Sequence, residues 1–266
     1  MVSGYPTAYP EVNEILDLLL SHVREILASQ FIGMYLYGSL SSGDFDPRGS
    51  DIDFLVVTTE MPSSETIDEL ESMHDRIWAS GLEWTSKLEG AYIPKDALRR
   101  YKPSAGKYPT INEARFYVDG QGTDWVIQRH VVRECGIVLA GPYPKSLIDP
   151  ISPAEIRDAV QGILNDWWFP MLKDPSWLSS HSAEYHAYAI LTMCRALHAL
   201  QHGTIVSKPA AAKWAQTQLG EPWSQIIERS LAQRLGRGQG GLLHDSLDLI
   251  RYTRDRVGVL KNEEVK

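Results

Sequence analysis

The densest run of chemistry-bearing residues is YGSLSSGDFDPRGSDID, residues 37–53. It joins a Gly-Ser pair, Gly38-Ser39, to a D-x-D pair, Asp51 and Asp53, across eleven residues. Side chains alternate faces along a strand, so Asp51 and Asp53 would point the same way. Two carboxylates side by side repel unless a cation sits between them. Magnesium suits that position, because it takes hard oxygen ligands and shares them between carboxylates and substrate phosphates. Gly38 would let backbone come close to a phosphate, and Ser39 would offer a hydroxyl and a backbone N–H at a helix start. A D-x-D alone is usually a strand with a solvated edge, and Gly-Ser alone says less. The order strand, Gly-Ser, loop, Asp-x-Asp strand is the specific signal, and it points to a triphosphate–metal site.

The surrounding pattern supplies elements that could hold those residues. Apolar positions at Ile15, Leu18, Leu19, Val23, Ile26 and Leu27 predict a helix over 11–29. A strand is expected over 31–38, a polar loop over 41–50, and a second strand over 51–59. The continuous apolar run Phe54 to Val57 suggests that this second strand is buried on both faces. A helix capped by Ser63 or Ser64 follows to Ser80, then strands over 83–93 and 113–118, a helix over 123–135, and the short apolar Val138-Leu139. Near Asp149-Pro150 the pattern changes. Helical periodicity recurs over 153–168, 182–201, 207–218, 222–235 and 241–257, with Pro153 at a first helical position and no convincing strand. The expected architecture is an α+β domain over 1–150, a mixed sheet with flanking helices, followed by an all-α helical-bundle domain over 151–266.

The totals exclude several classes. With 266 residues, 43% hydrophobic and 23% charged, the composition is that of an ordinary globular protein. No run approaches the roughly 18 consecutive apolar residues of a membrane helix. The start, MVSGYPTAYPEVNEI, lacks a basic segment followed by an apolar one, so no secretory signal and a cytoplasmic location are expected. Cys135 and Cys194 form no metal pattern and are expected as two buried thiols in a reducing compartment. A formal net charge of −8 weighs against nucleic acid as the main partner and is compatible with a cationic substrate.

The chain resembles the DNA-polymerase-beta-like nucleotidyltransferase superfamily and, within it, the aminoglycoside (3″) adenylyltransferases that modify streptomycin and spectinomycin. The first motif carries the wider resemblance. DWVIQRHVVRECGIVLAGPYPKSLIDPI (124–151) is similar to the segment that closes that family's catalytic domain, and AILTMCRALHALQHGTIVSKPAAAKWA (189–215) to its helical-domain signature. The resemblance implies a nucleotidyltransferase domain and a helical substrate domain, with ATP and the antibiotic bound between them, two magnesium ions, and a monomer. It implies nucleotide and metal roles for Gly38, Ser39, Ser50, Asp51 and Asp53. It places Glu89, in SKLEGAYIP, as general base or metal partner, with Glu83 and Asp124 as competitors for that role. Arg195 and Lys208, thirteen residues apart, match the family's two phosphate-neutralising cations. Trp177 falls near a substrate-lining tryptophan, whereas Trp167 and Trp168 are expected in the core. One departure stands out: the family's acidic, substrate-binding position near the start of the 182–201 helix holds Tyr185, with Glu184 as its neighbour. That departure weighs against streptomycin and leaves spectinomycin or another aminocyclitol as acceptor, unless Glu184 substitutes at that position.

Other signals carry less. His198 and His202 share a helix face, but Ala199 stands where a zinc-protease motif needs Glu. RLGRGQGG (234–241) follows a helix and lacks a Lys-Ser/Thr ending, so a turn between helices accounts for it. Two further readings share the first motif: transfer to a macromolecular acceptor such as tRNA or protein, and a non-catalytic nucleotide-binding module.

Overall fold

The computed structural model describes residues 6–103, 106–238 and 240–264, with side chains described through residue 258. Gln239, in the expected glycine-rich turn, lies outside the described residues. The chain divides into two compact units, Met1–Pro150 and Ile151–Lys266.

The first unit is built on a six-stranded sheet in the order β5-β4-β3-β2-β1-β6. Its strands are β1 (Phe31–Leu36), β2 (Ile52–Thr58), β3 (Leu88–Pro94), β4 (Lys107–Asn112), β5 (Arg115–Gly120) and β6 (Ile137–Ala140). Only β2 and β3 pair in parallel; β1 lies antiparallel to both β2 and β6, and β3–β4 and β4–β5 are antiparallel. The parallel pair needs a crossover, supplied by helix α3 (Ser64–Ala79), whose N-cap Ser63 accepts a hydrogen bond from the Thr66 N–H. Helix α1 (Pro10–Leu27) buries Val12, Ile15, Leu16, Leu19, Val23 and Leu27 on one face. That stripe joins Met34, Leu36, Phe54 and Val56 of the sheet and Leu70, Met73 and Ile77 of α3 in one core. Each such side chain contributes about 1.5–3 kcal/mol by leaving water. The short helices α2 (Gly38–Ser42) and α4 (Lys95–Arg99) and helix α5 (Asp124–Cys135) complete the unit.

The structure departs from the sequence expectation in several places. The third strand begins at Leu88, not at 83, because Trp84 has a left-handed backbone (φ 74°) and a 3-10 turn spans Thr85–Lys87. The expected strand over 113–118 is the second arm of a hairpin whose first arm, β4, gave no signal. Its turn residues Glu113 and Ala114 both sit at positive φ, 47° and 60°, where hairpins usually recruit Asn or Gly. Pro109 inside β4 further masks a strand. Cys135 is exposed, contrary to expectation, while Cys194 is buried and its thiol is pushed up to about 12 by burial.

In the second unit, helix α6 (Pro153–Ile163) opens on a reciprocal capping box between Ser152 and Glu155. A π-helical turn, Leu164–Trp168, and a 3-10 turn containing Pro170 follow where one helix to 168 was expected. The wider turn rotates Trp167 outward, 47% exposed, so it is not a core residue; Trp168 is buried. After α7 (Ser176–Ser179) comes α8 (Ala183–His202), which packs against α6, α9 (Lys208–Leu219), α10 (Trp223–Arg234) and α11 (Leu243–Glu264). A helix with neighbours on several sides must be apolar over most of its surface, and α8 buries Ala187, Ile190, Leu191, Met193, Cys194, Leu197 and Leu200 among others. Among the described residues no helix is long and apolar enough to cross a membrane.

Behind the sheet, His74 of α3 is buried with Phe54, Tyr92 and Phe116, and its Nε2 lies 2.7 Å from the Tyr92 hydroxyl. Burial pushes its pKa from 6.5 down to about 3. The unfolded chain therefore binds a proton below pH 6.5 that the folded chain refuses, and stability falls as pH drops from about 6.5 to about 3. Replacing His74 with Phe is expected to flatten the dependence of urea-unfolding stability on pH within that window. An unchanged slope would remove His74 as its source.

Candidate active site

The sheet topology brings the motif together. Because β1 runs antiparallel to β2, the end of β1 lies beside the start of β2, and the Tyr37 N–H donates to the Asp53 carbonyl at 3.1 Å. Gly38 follows at φ 62°, and a side chain there would collide with the Asp53 carboxylate. Glycine is therefore required on two counts: the backbone is left-handed, and it lies against Asp53. Ser39 is half-buried in α2. Ser50 is buried and closes the preceding loop: its hydroxyl accepts from the Asp46 N–H at 3.0 Å, and its own N–H donates to the Asp46 carbonyl at 2.9 Å.

The parallel register of β2 and β3 pairs Asp53 with Glu89 on one rung. Both are half-buried. The next rung pairs Phe54 with Gly90, where a side chain would meet the Phe54 ring at 2.6 Å. Gly90 thus gives the ring room directly beside the two carboxylates. Asp51 lies just outside the start of β2, and the ammonium of Lys87, just before β3, is 3.3 Å from its Oδ1.

Tyr37, which the motif reading did not single out, reports the local field. Its phenol is raised well above its usual pKa by burial first, then by the charges of Asp53, Glu89 and Asp124. Tyr117 of β5 is also raised, by burial, then by Glu89 and Asp119. Asp124, at the start of α5, accepts from Gln128 Nε2 at 3.0 Å, and burial raises its carboxyl. Of the two competitors considered for the base role, Asp124 belongs to this acidic neighbourhood. Glu83 is exposed on the turn before β3 and off the Asp53–Glu89 rung. The signal for Tyr37 was its place directly before Gly38; that for Lys87 was its two-residue offset from Glu89 along the strand direction.

Arg129 braces this corner. Its guanidinium is buried and donates to the carbonyls of Leu98, Ala97 and Trp125 and to Gln121 Oε1. Burial pushes its pKa down to about 10.

Among the described residues, no three Asp, Glu, His or Cys side chains converge closely enough to enclose a metal by themselves. That donor set fits magnesium, which commonly takes one or two carboxylates and completes its shell with water and phosphate oxygens. It does not fit an all-protein cage.

Within the second unit, Gly203 (φ 65°) ends α8, and Ser207 caps α9 by accepting from the Ala210 N–H. This short connection fixes the spacing of Arg195 on α8 and Lys208 at the start of α9. The Lys208 ammonium lies 4.2 Å from the centroid of the Tyr188 ring. Trp177 and Tyr185 belong to one aromatic cluster: their centroids are 5.2 Å apart, with His181 4.0 Å from Trp177 and Trp167 5.1 Å from it. Tyr188 continues the cluster 5.3 Å from Tyr185. Glu184 is not part of it. It accepts from Gln233 Nε2 of α10 at 2.8 Å, and hydrogen bonds from Ser182, the backbone and Gln233 lower its pKa.

Comparisons with known proteins agree with this division of the chain. Residues 20–105 match the model of a nucleotidyltransferase domain. Residues 146–257 match that of the aminoglycoside adenylyltransferase C-terminal domain. An aminoglycoside (3″) (9) adenylyltransferase of Escherichia coli is 23% identical over 249 residues, 87% of each chain. A spectinomycin 9-adenylyltransferase of Campylobacter jejuni is 26% identical over 244 residues, 85% of each. The crystal structure of a spectinomycin adenyltransferase from Enterococcus faecialis, holding ATP and spectinomycin, has the same fold, with a TM-score of 0.71 at 18% identity over 92% of this chain and 98% of that one. With its two parts matching the two halves of such enzymes, the chain belongs to the aminoglycoside adenylyltransferase family of nucleotidyltransferases.

Proposed function

We propose that this protein transfers AMP from Mg·ATP to a hydroxyl of an aminoglycoside or aminocyclitol antibiotic, releasing pyrophosphate. The observation that carries this reading is the Asp53–Glu89 rung set against the side-chain-free surface of Gly38. Asp51, Asp53 and Glu89 would hold up to two magnesium ions. Bound magnesium supplies charge neutralisation at the transferring phosphoryl group. Gly38, Ser39 and Ser50 would flank the phosphates, and Arg195 and Lys208 would neutralise triphosphate charge. Support for the last two is their sequence spacing and the capped turn that fixes it.

Glu89 would take the proton of the acceptor hydroxyl as its oxygen attacks the α-phosphorus. The new O–P bond forms while the bond to the bridging oxygen breaks, and pyrophosphate leaves with that electron pair. Tyr37, held protonated by burial and its acidic neighbours, would remain a hydrogen-bond donor throughout.

The acceptor would meet ring faces where relatives are expected to offer a carboxylate. Trp167, Trp177 and Tyr188 are partly exposed, and aromatic faces attract ammonium groups. Tyr185 in the acidic position offers no counter-charge to a second strongly basic group, and the Glu184 carboxylate beside it is turned to Gln233 of α10. This favours spectinomycin-type acceptors over streptomycin. A monomer is the assembly that the family resemblance implies. A cytoplasmic location fits an enzyme that draws on Mg·ATP and carries two free thiols.

The first test is pyrophosphate release from Mg·ATP across a panel of aminoglycosides and aminocyclitols. Spectinomycin is expected to be turned over in preference to streptomycin, and silence across the panel would overturn the reading. Asp53→Asn should abolish release while the circular dichroism of the fold is kept; persisting turnover would remove the metal role. Glu89→Gln should lower kcat by about 10²–10⁴ with ATP binding little changed, and a wild-type rate would assign the base elsewhere. Trp177→Ala should raise the acceptor KM by roughly tenfold and leave the ATP KM alone. An unchanged acceptor KM would place acceptor recognition on other residues.

A further inference from the structure

The metal site contains its own cation. Continuing the parallel register two rungs outward from Asp53–Glu89, past Ile52–Leu88 to the next pair on the same face, brings Asp51 opposite Lys87. The 3.3 Å separation of Lys87 Nζ from Asp51 Oδ1 shows that the side chains meet there. Two successive pairs on one face therefore differ in kind: one sets carboxylate beside carboxylate, the other carboxylate against ammonium. Asp51 would be shared between the lysine and any magnesium that binds at the first rung. Lys87 and Asp51 are 48% and 45% exposed, so the pair is only partly shielded from water. A divalent ion can displace such a pair, because exposed ion pairs are weak and the lysine stem is flexible.

We propose that Lys87 is a resident counter-ion of this site. It holds Asp51 before the nucleotide arrives and yields it to magnesium entering with the triphosphate. It then remains beside the phosphate oxygens that share that magnesium. A metal bridging Asp51 and the triphosphate brings phosphate oxygens within a few ångströms of where the ammonium stood, so the displaced lysine exchanges one anionic partner for another. The site is thereby biased against bare metal and toward metal that arrives with nucleotide. Lys87 acts here as a positioning residue for Asp51 and a ligand for the triphosphate. This inference rests on the nucleotidyltransferase reading of the Asp51–Asp53–Glu89 site.

The test begins without turnover. Manganese, as a magnesium probe, is titrated onto nucleotide-free full-length protein and followed by electron paramagnetic resonance. Lys87→Met is expected to bind it about three- to fivefold more tightly than wild type, because the competing ammonium is gone. In an Asp51→Asn background the same replacement is expected to have no effect on manganese affinity. In steady-state assays Lys87→Met should raise the KM for Mg·ATP and weaken product inhibition by pyrophosphate, while Lys87→Arg restores both toward wild type. Unchanged manganese affinity in Lys87→Met, or an equal change in the Asp51→Asn background, would overturn the proposal. If no acceptor supports pyrophosphate release yet the metal titrations behave as described, the counter-ion role stands and the adenylyl-transfer reading fails. Normal turnover with unchanged metal affinity would do the opposite: adenylyl transfer stands and the counter-ion role fails.

Discussion

Two carboxylates on one rung of a sheet repel, and the parallel pairing of β2 with β3 holds Asp53 and Glu89 together regardless. Most of the first unit can be understood as the means of enforcing that pair. The crossover through α3 makes the parallel pairing possible, and the core beneath α1 and α3 stabilises it. β1, antiparallel to β2, delivers Gly38 to the same end of the sheet. Gly90 opens space for Phe54 at the next rung, so the strands stay in register beside the charged pair. Packing spread over many buried side chains thus fixes the strand register on which the position of two carboxylates depends.

The field from this pair extends to its neighbours. Burial first pushes Tyr37 and Tyr117 toward their neutral forms, and the charges of Asp53 and Glu89 on Tyr37, and of Glu89 on Tyr117, act in the same direction. Arg129, by contrast, directs its guanidinium to three backbone carbonyls and an amide oxygen. It acts as a brace between α5 and the segment after β3. Lys87, by contrast, directs its ammonium to a carboxylate, that of Asp51.

Much of this was legible in the sequence, for identifiable reasons. The alternation rule placed Asp51 and Asp53 on one side, and the apolar run after them marked a strand buried on both faces. The pairing of Asp53 with Glu89 is different. It depends on the register of strands separated by a helix, and no local pattern encodes that; the family resemblance, not spacing, pointed to Glu89. β4 was hidden because its turn uses Glu113 and Ala114 at positive φ and its interior holds Pro109. The third strand was drawn too long because Trp84, an ordinary strand former by type, adopts a left-handed backbone. Trp167 was assigned to the core on its size, and a π-helical turn, invisible to a 3.6-residue period, carried it to the surface. In the second unit the helical periodicity was strong and the caps at Ser152 and Ser207 are conventional, so the helices were readable. The aromatic cluster was not, because it gathers residues from separate elements.

Gly38 has a consequence for how such a protein can change. Any other residue there would have to adopt an unfavourable backbone and also displace the Asp53 carboxylate, two independent penalties at one position. Variation that preserves the fold is thus shut out of position 38. The partly exposed rings of Trp167, Trp177 and Tyr188 carry no comparable backbone constraint. Single substitutions are open to that surface, so the molecule separates a position that is evolutionarily frozen from a surface that can drift.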